Sequence, residues 1–145
     1  RPVPLPSAWA DGGWRAMPTH RADMAGAAEE PLVLQWRGSP ASLEMALRAN
    51  GWAPTPPWSV ATMDALLRPS TPPLDLPALP VMDRGRLPAL TLVRPDPSGI
   101  PDRRLVLRAW LSDRVDPTAP EMPLLVAAIV AETTAPIGGL LTLPR

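Results

Sequence analysis

The sequence contains no cysteine, which excludes disulfides, thiolate nucleophiles and cysteine-ligated metals and leaves the redox compartment unreadable. Lysine, phenylalanine and tyrosine are also absent, Asn50 is the single asparagine, and His20 is the single histidine. A serine–histidine–aspartate arrangement would have to use His20, which reads as an ordinary surface residue. A metal site needs several histidines or clustered carboxylates, and none is visible. Net charge of either sign is missing too, with 14 basic residues against 14 acidic ones. Such a balance makes no phosphate-tracking surface, so a nucleic-acid partner is not expected. The longest apolar stretch, Leu124 to Ala131, falls far short of the roughly 20 residues of a spanning helix. No signal peptide, phosphate-binding loop or dinucleotide fingerprint appears, and no cofactor is expected. The reading is of a soluble piece of something larger.

What is present is 145 residues, 46% of them hydrophobic and 19% charged, enough for one folded domain with a real core. Every basic residue is arginine, as GC-rich codon usage would give. Proline is abundant, at 23 residues, and breaks the chain into short elements. Residues 1–30 read as an irregular proline-rich arm whose Trp9 and Trp14 dock on the rest. Residues 31–145 read as a single α+β domain, a mostly antiparallel sheet with two helices on one face.

Leu32 to Trp36 is the first predicted strand, with Leu32, Leu34 and Trp36 on one face by the period of two. Ser39 then caps a helix with Pro40 at its first position. Gly51 fits the left-handed position after it, and Trp52 is placed to pack back on Leu47. Ser59 caps a second, shorter helix in which Val60, Met63 and Leu67 share a face, ended by Pro69. Residues 69–88 are a long loop in which Leu74, Leu76 and Leu79 alternate as if pinned to a surface. Strands follow over Ala89 to Arg94, Arg104 to Leu111 and Leu124 to Glu132. The last is apolar on both faces and therefore central. Gly139 to Leu143 adds an edge strand.

The order of several short words resembles the LssY C-terminal domain family. They are Gln35-Trp36-Arg37-Gly38, Gly51-Trp52, Pro54 to Trp58, Leu76-Pro77-Ala78-Leu79-Pro80, Leu90-Thr91-Leu92-Val93-Arg94 and Leu107-Arg108-Ala109-Trp110. The resemblance runs roughly from residue 14 to 132. It departs at Leu124-Leu125-Val126-Ala127, where the family often reads Leu-Trp-x-Gly. It departs again at Val106 and Leu107, where some members carry a histidine pair, so no role built on those histidines transfers. The resemblance implies a soluble, inner-membrane-associated appendage of a bacterial membrane protein with a DedA-type or lipid-phosphatase-type region. It implies a membrane-embedded domain of the same parent as partner, and it does not imply catalysis.

On the strand Arg104 to Leu111, Leu105, Leu107, Ala109 and Leu111 share one face, and Arg104, Val106, Arg108 and Trp110 the other. Arg94 and Arg37, at neighbouring strand ends, are expected to join the second set. Guanidinium groups offer paired donors to phosphate or carboxylate, and tryptophan offers a stacking plane. Arg37, Arg94, Arg108 and Trp110 are therefore the candidate ligand-binding set, for an anionic small molecule, a lipid head group or an acidic partner. Trp36, Gly51 and Trp52 are structural. The plainer reading makes Trp110 half-buried core and the arginines a solvated sheet face. The expected function is a non-catalytic accessory or binding domain. The alternatives are a hydrolase-like domain using loop carboxylates among Asp83, Asp102 and Asp113, and a purely structural assembly module.

Overall fold

The computed structural model describes residues 1–56, 76–137 and 141–144. The arm opens with β1 (Val3–Pro4), two 3-10 turns at Trp9–Asp11 and Gly13–Ala16, and a hairpin of β2 (His20–Ala22) and β3 (Ala28–Pro31). Then come β4 (Leu34–Arg37), α1 (Pro40–Arg48) and β5 (Ala53–Pro54). The carboxy-terminal half holds β6 (Leu90–Pro95), β7 (Arg103–Leu111), β8 (Arg114–Val115), β9 (Leu124–Ile137) and β10 (Leu141–Pro144). The architecture is α+β, and among the described residues the strands pair antiparallel except β1 with β8. The second helix, expected between Ser59 and Pro69, lies outside the described residues, as does Leu74.

The main sheet runs β5–β6–β7–β9, and the far edge of β9 is shared by two strands. Its first residues pair with β4, Arg37 opposite Leu124, and its last with β10, Leu141 opposite Ile137. The central position expected for Leu124 to Glu132 is the one observed. Both faces of β9 are covered from Leu124 to Ala128, which is why that stretch carries no polar alternation.

Local chemistry accounts for α1. The Ser39 hydroxyl accepts from the Ser42 N–H at 3.1 Å, and Pro40 occupies the first turn. At the other end Trp52 N–H donates to Leu47 O and Gly51 N–H to Arg48 O, both at 3.2 Å, the paired bonds of a Schellman ending. Gly51 has φ 89°, a conformation that costs a side-chain-bearing residue. Gly38, before the helix, is constrained differently: a Cβ there would lie 2.9 Å from Trp36 Nε1 and 3.0 Å from Ser42 Oγ. Those two groups bond each other at 3.0 Å.

The helix lays Leu43 and Leu47 on one sheet face, against Trp52, Leu92, Leu107, Leu125 and Ala127. The opposite face packs Trp110, Leu124, Val126 and Ala128 against Leu5 and Met17 of the arm. The arm is thus more ordered than an irregular tail. Leu32 joins this arm-side cluster, whereas Leu34 and Trp36 pack on the helix side. The uniform alternation expected from Leu32 to Trp36 breaks because Val33 N–H donates to Ala127 O while Leu34 is the register partner of the same residue. This two-against-one bulge turns the residue before it to the other face.

Candidate functional site

Along β7 the period of two delivers Arg104, Arg108 and Trp110 to the arm-side face, as expected, but that face is closed. Arg104 and Trp110 are fully buried and Arg108 nearly so. The covering element is the loop 76–81, held by its carbonyl oxygens. Arg104 Nη1 donates to Leu76 O at 2.6 Å, Arg108 Nη2 to Leu79 O at 2.9 Å, and Trp110 Nε1 to Val81 O at 2.9 Å. Side-chain donors here do the work that a neighbouring strand does elsewhere. A proline-rich segment poor in N–H groups can therefore lie on the sheet.

The arginine charges are met by carboxylates in the same layer. Glu132 Oε2 accepts from Arg104 Nη2 and its Oε1 from Arg108 Nη2, each at 3.1 Å. Arg21 Nε donates to Glu30 Oε1 at 2.6 Å. Burial acts to raise the Glu30 carboxyl, but that hydrogen bond and the charges of Arg21 and Arg108 outweigh it and hold the group below its usual range. Burial lowers the Arg104 guanidinium against the opposing pull of Glu132.

The other two members of the expected set lie elsewhere. Arg94 is on the helix side of β6, its guanidinium 5.7 Å from the Trp52 ring centre and donating to Asn50 O at 3.3 Å. A cation there complements the negative end of α1 and stacks on the residue that terminates it. Arg37 is on β4, separated from β6 by β7 and β9, so the two are not neighbours. Arg37 Nη1 lies 3.5 Å from Asp116 Oδ2, with its side chain 39% exposed. Asp116 is buried and also accepts from Thr118 and from the Trp9 N–H. The bonds from Thr118 lower its carboxyl below the usual range against the effect of burial.

The loop carboxylates divide. Asp83 and Asp113 line one small pocket of about 80 Å³ with Arg84, Arg86 and Ser112. Asp102 is in the turn before β7, at the opposite end of that strand from Ser112. Asp83 accepts from Ala22 N–H at 3.0 Å and from Arg84 at 2.7 Å, which makes it a bracket between loop and arm. Among the described residues no three histidine or acidic side chains gather as a metal site requires.

The larger concavity was not singled out from the sequence. It is an open groove of about 680 Å³ between the arm and the start of β4, walled by Trp9 and Trp14. Gln35 fixes that wall from both sides. Its Oε1 accepts from Trp9 Nε1 at 2.8 Å and its Nε2 donates to Trp14 O at 3.0 Å. Arg15 stacks on Trp14 at 4.8 Å, and Trp14 and Val33 remain exposed. The isolated arm tryptophans were legible as docking residues; the partner that positions them, Gln35, stands inside a strand and shows no signal of that role.

A family model described as LssY C-terminus matches residues 14–136, most of the chain. No curated protein and no solved structure matches it.

Proposed function

This chain belongs to the LssY C-terminus family, and we propose that it is a non-catalytic binding module standing beside a membrane-embedded unit of the same parent protein. The observation that carries the reading is the groove between Trp9 and Trp14. It is open, apolar, aromatic and held in shape by Gln35, as recognition sites are. No described helix is long and apolar enough to cross a membrane, so in this reading the partner supplies the membrane-embedded part. For an anionic group or lipid head group, Arg37 is the guanidinium best placed, half-exposed and two residues beyond Gln35 on the same strand. Arg108 and Trp110 serve the same reading by keeping the loop and the arm-side face in place.

The hydrolase alternative has one favourable observation, the shared pocket of Asp83 and Asp113. Each aspartate there already sits against an adjacent arginine, and Asp102 is remote. The test is a binding titration of the purified chain against the detergent-solubilised remainder of its parent. Saturable binding weakened by Trp14→Ala supports the module. No binding, together with ester or phosphoester hydrolysis lost in Asp83→Asn, would replace it with the hydrolase.

A further inference from the structure

The outer edge of β4 says what kind of partner fits the groove, granted the reading above that the groove is a binding site. Ser112 N–H donates to Leu124 O and Gly38 N–H to Pro123 O, both at 2.9 Å. With the registers of β7 and β4 on β9, these two bonds set the phase of the ladder. Trp36 and Leu34 turn their backbone groups inward to β9, and Gln35 and Arg37 turn theirs outward. Among the described residues no strand pairs with that outward side.

The groove touches Leu32, Val33, Leu34 and Gln35, four residues in succession. Across the bulge, Leu32 packs on the arm side of the sheet and Leu34 on the helix side. A hollow that reaches both therefore lies along the edge of the strand, not over either face. Trp9 and Trp14 stand opposite that edge as its far wall.

We propose that an extended, uncharged peptide segment of a partner protein lies in this groove as an added strand on β4. Outward main-chain donors and acceptors call for an occupant with main-chain groups of its own, which a lipid chain lacks. None of the eight residues lining the groove is ionisable, so a charged side chain or phosphate placed there would be left unpaired. Two indoles favour apolar, aromatic or proline side chains on the partner's groove-facing positions. Leu32 N–H already donates to Thr19 O at 2.9 Å, so the open edge lies beyond it, and at about 3.3 Å per residue Leu34 to Arg37 accommodates roughly four partner residues.

The test starts from a random dodecapeptide display library selected on the intact chain. The expected winners are uncharged and apolar, and their binding slows amide exchange at Gln35 and Arg37. Alternate N-methylation of the winning peptide abolishes binding. Val33→Glu, at an exposed position, weakens it about tenfold, or ~1.4 kcal/mol, without changing the melting temperature. Trp14→Ala, also exposed, does the same. The proposal is overturned by charged winners, by no enrichment, by binding without protection at Gln35 and Arg37, or by N-methylated peptide binding equally well. Phospholipid vesicles that quench Trp14 and displace the peptide would also overturn it in favour of a lipid chain. Should the parent's membrane unit bind while peptides fail, the binding-module reading survives and only the added strand is lost.

Discussion

Arg104 and Glu132 stand directly opposite each other across the β7–β9 pair, and their side chains meet at 3.1 Å within the protein. Arg108 reaches the second oxygen of the same carboxylate, so two guanidinium groups share one buried anion. A buried pair of this kind adds little net stability, but removing one partner leaves charge without compensation.

Glu132→Gln should therefore be among the most damaging single changes. The expected loss is about 3–5 kcal/mol in urea unfolding. Glu30→Gln, in the less buried pair with Arg21, should cost less, about 1–2 kcal/mol. Equal costs at the two positions would mean that the arginines are not held by charge.

Trp110→Phe keeps an aromatic ring but removes the donor to Val81 O. The lost bond and the space left by the smaller ring together should cost about 2 kcal/mol. Limited proteolysis should then open the chain first between residues 79 and 84. Unchanged protection there would show that the indole N–H does not hold the loop.

Gly51→Ala isolates backbone strain from crowding. The nearest atoms to an added Cβ belong to the Arg94 guanidinium at 3.9 Å, an ordinary contact. The cost should be the conformational one, about 1–2 kcal/mol, and Gly51→Asn should recover part of it. Thermal unfolding of the two variants distinguishes this from steric damage.

Asp116 gives the acid side of the stability curve a definite sign. Its carboxyl is lowered in the folded protein, so the unfolded chain binds a proton more readily. Its contribution is present above the unfolded value of about 3.9 and is lost as pH falls through the folded value. The stability gap between the wild type and Asp116→Asn should be constant near neutrality and close below about pH 4. A gap that widens on acidification would contradict the assignment.

The elements that the sequence made legible are those governed by local rules. Ser39, Pro40, Gly51 and Trp52 place α1 because capping acts within a few residues. The alternation of Leu105 and Leu107 with Arg104 and Arg108 separates the two faces of β7 because strand period is local. What covers a face is not local. Leu76, Leu79 and Val81 supply their carbonyls from about 28 residues away in sequence, so a face that reads as basic and open is closed. The bulge at Val33 and the role of Gln35 are hidden for the same reason. Each depends on a strand or an arm whose position only the tertiary fold supplies.

The pairing of β1 with β8 has a consequence for the order in which the molecule is assembled. Val3 and Pro4 find their partners only at Arg114 and Val115, and Val3 N–H bonds Asp113 O. Within this chain, residues made early must wait for the loop at Asp113 to Val115 before they can settle. The hairpin of β6 and β7 can close early, from contacts near in sequence. A nascent chain ending before Asp113 would lack both β8, on which the arm settles, and β9, on which β4 settles, so neither wall of the groove would be in place.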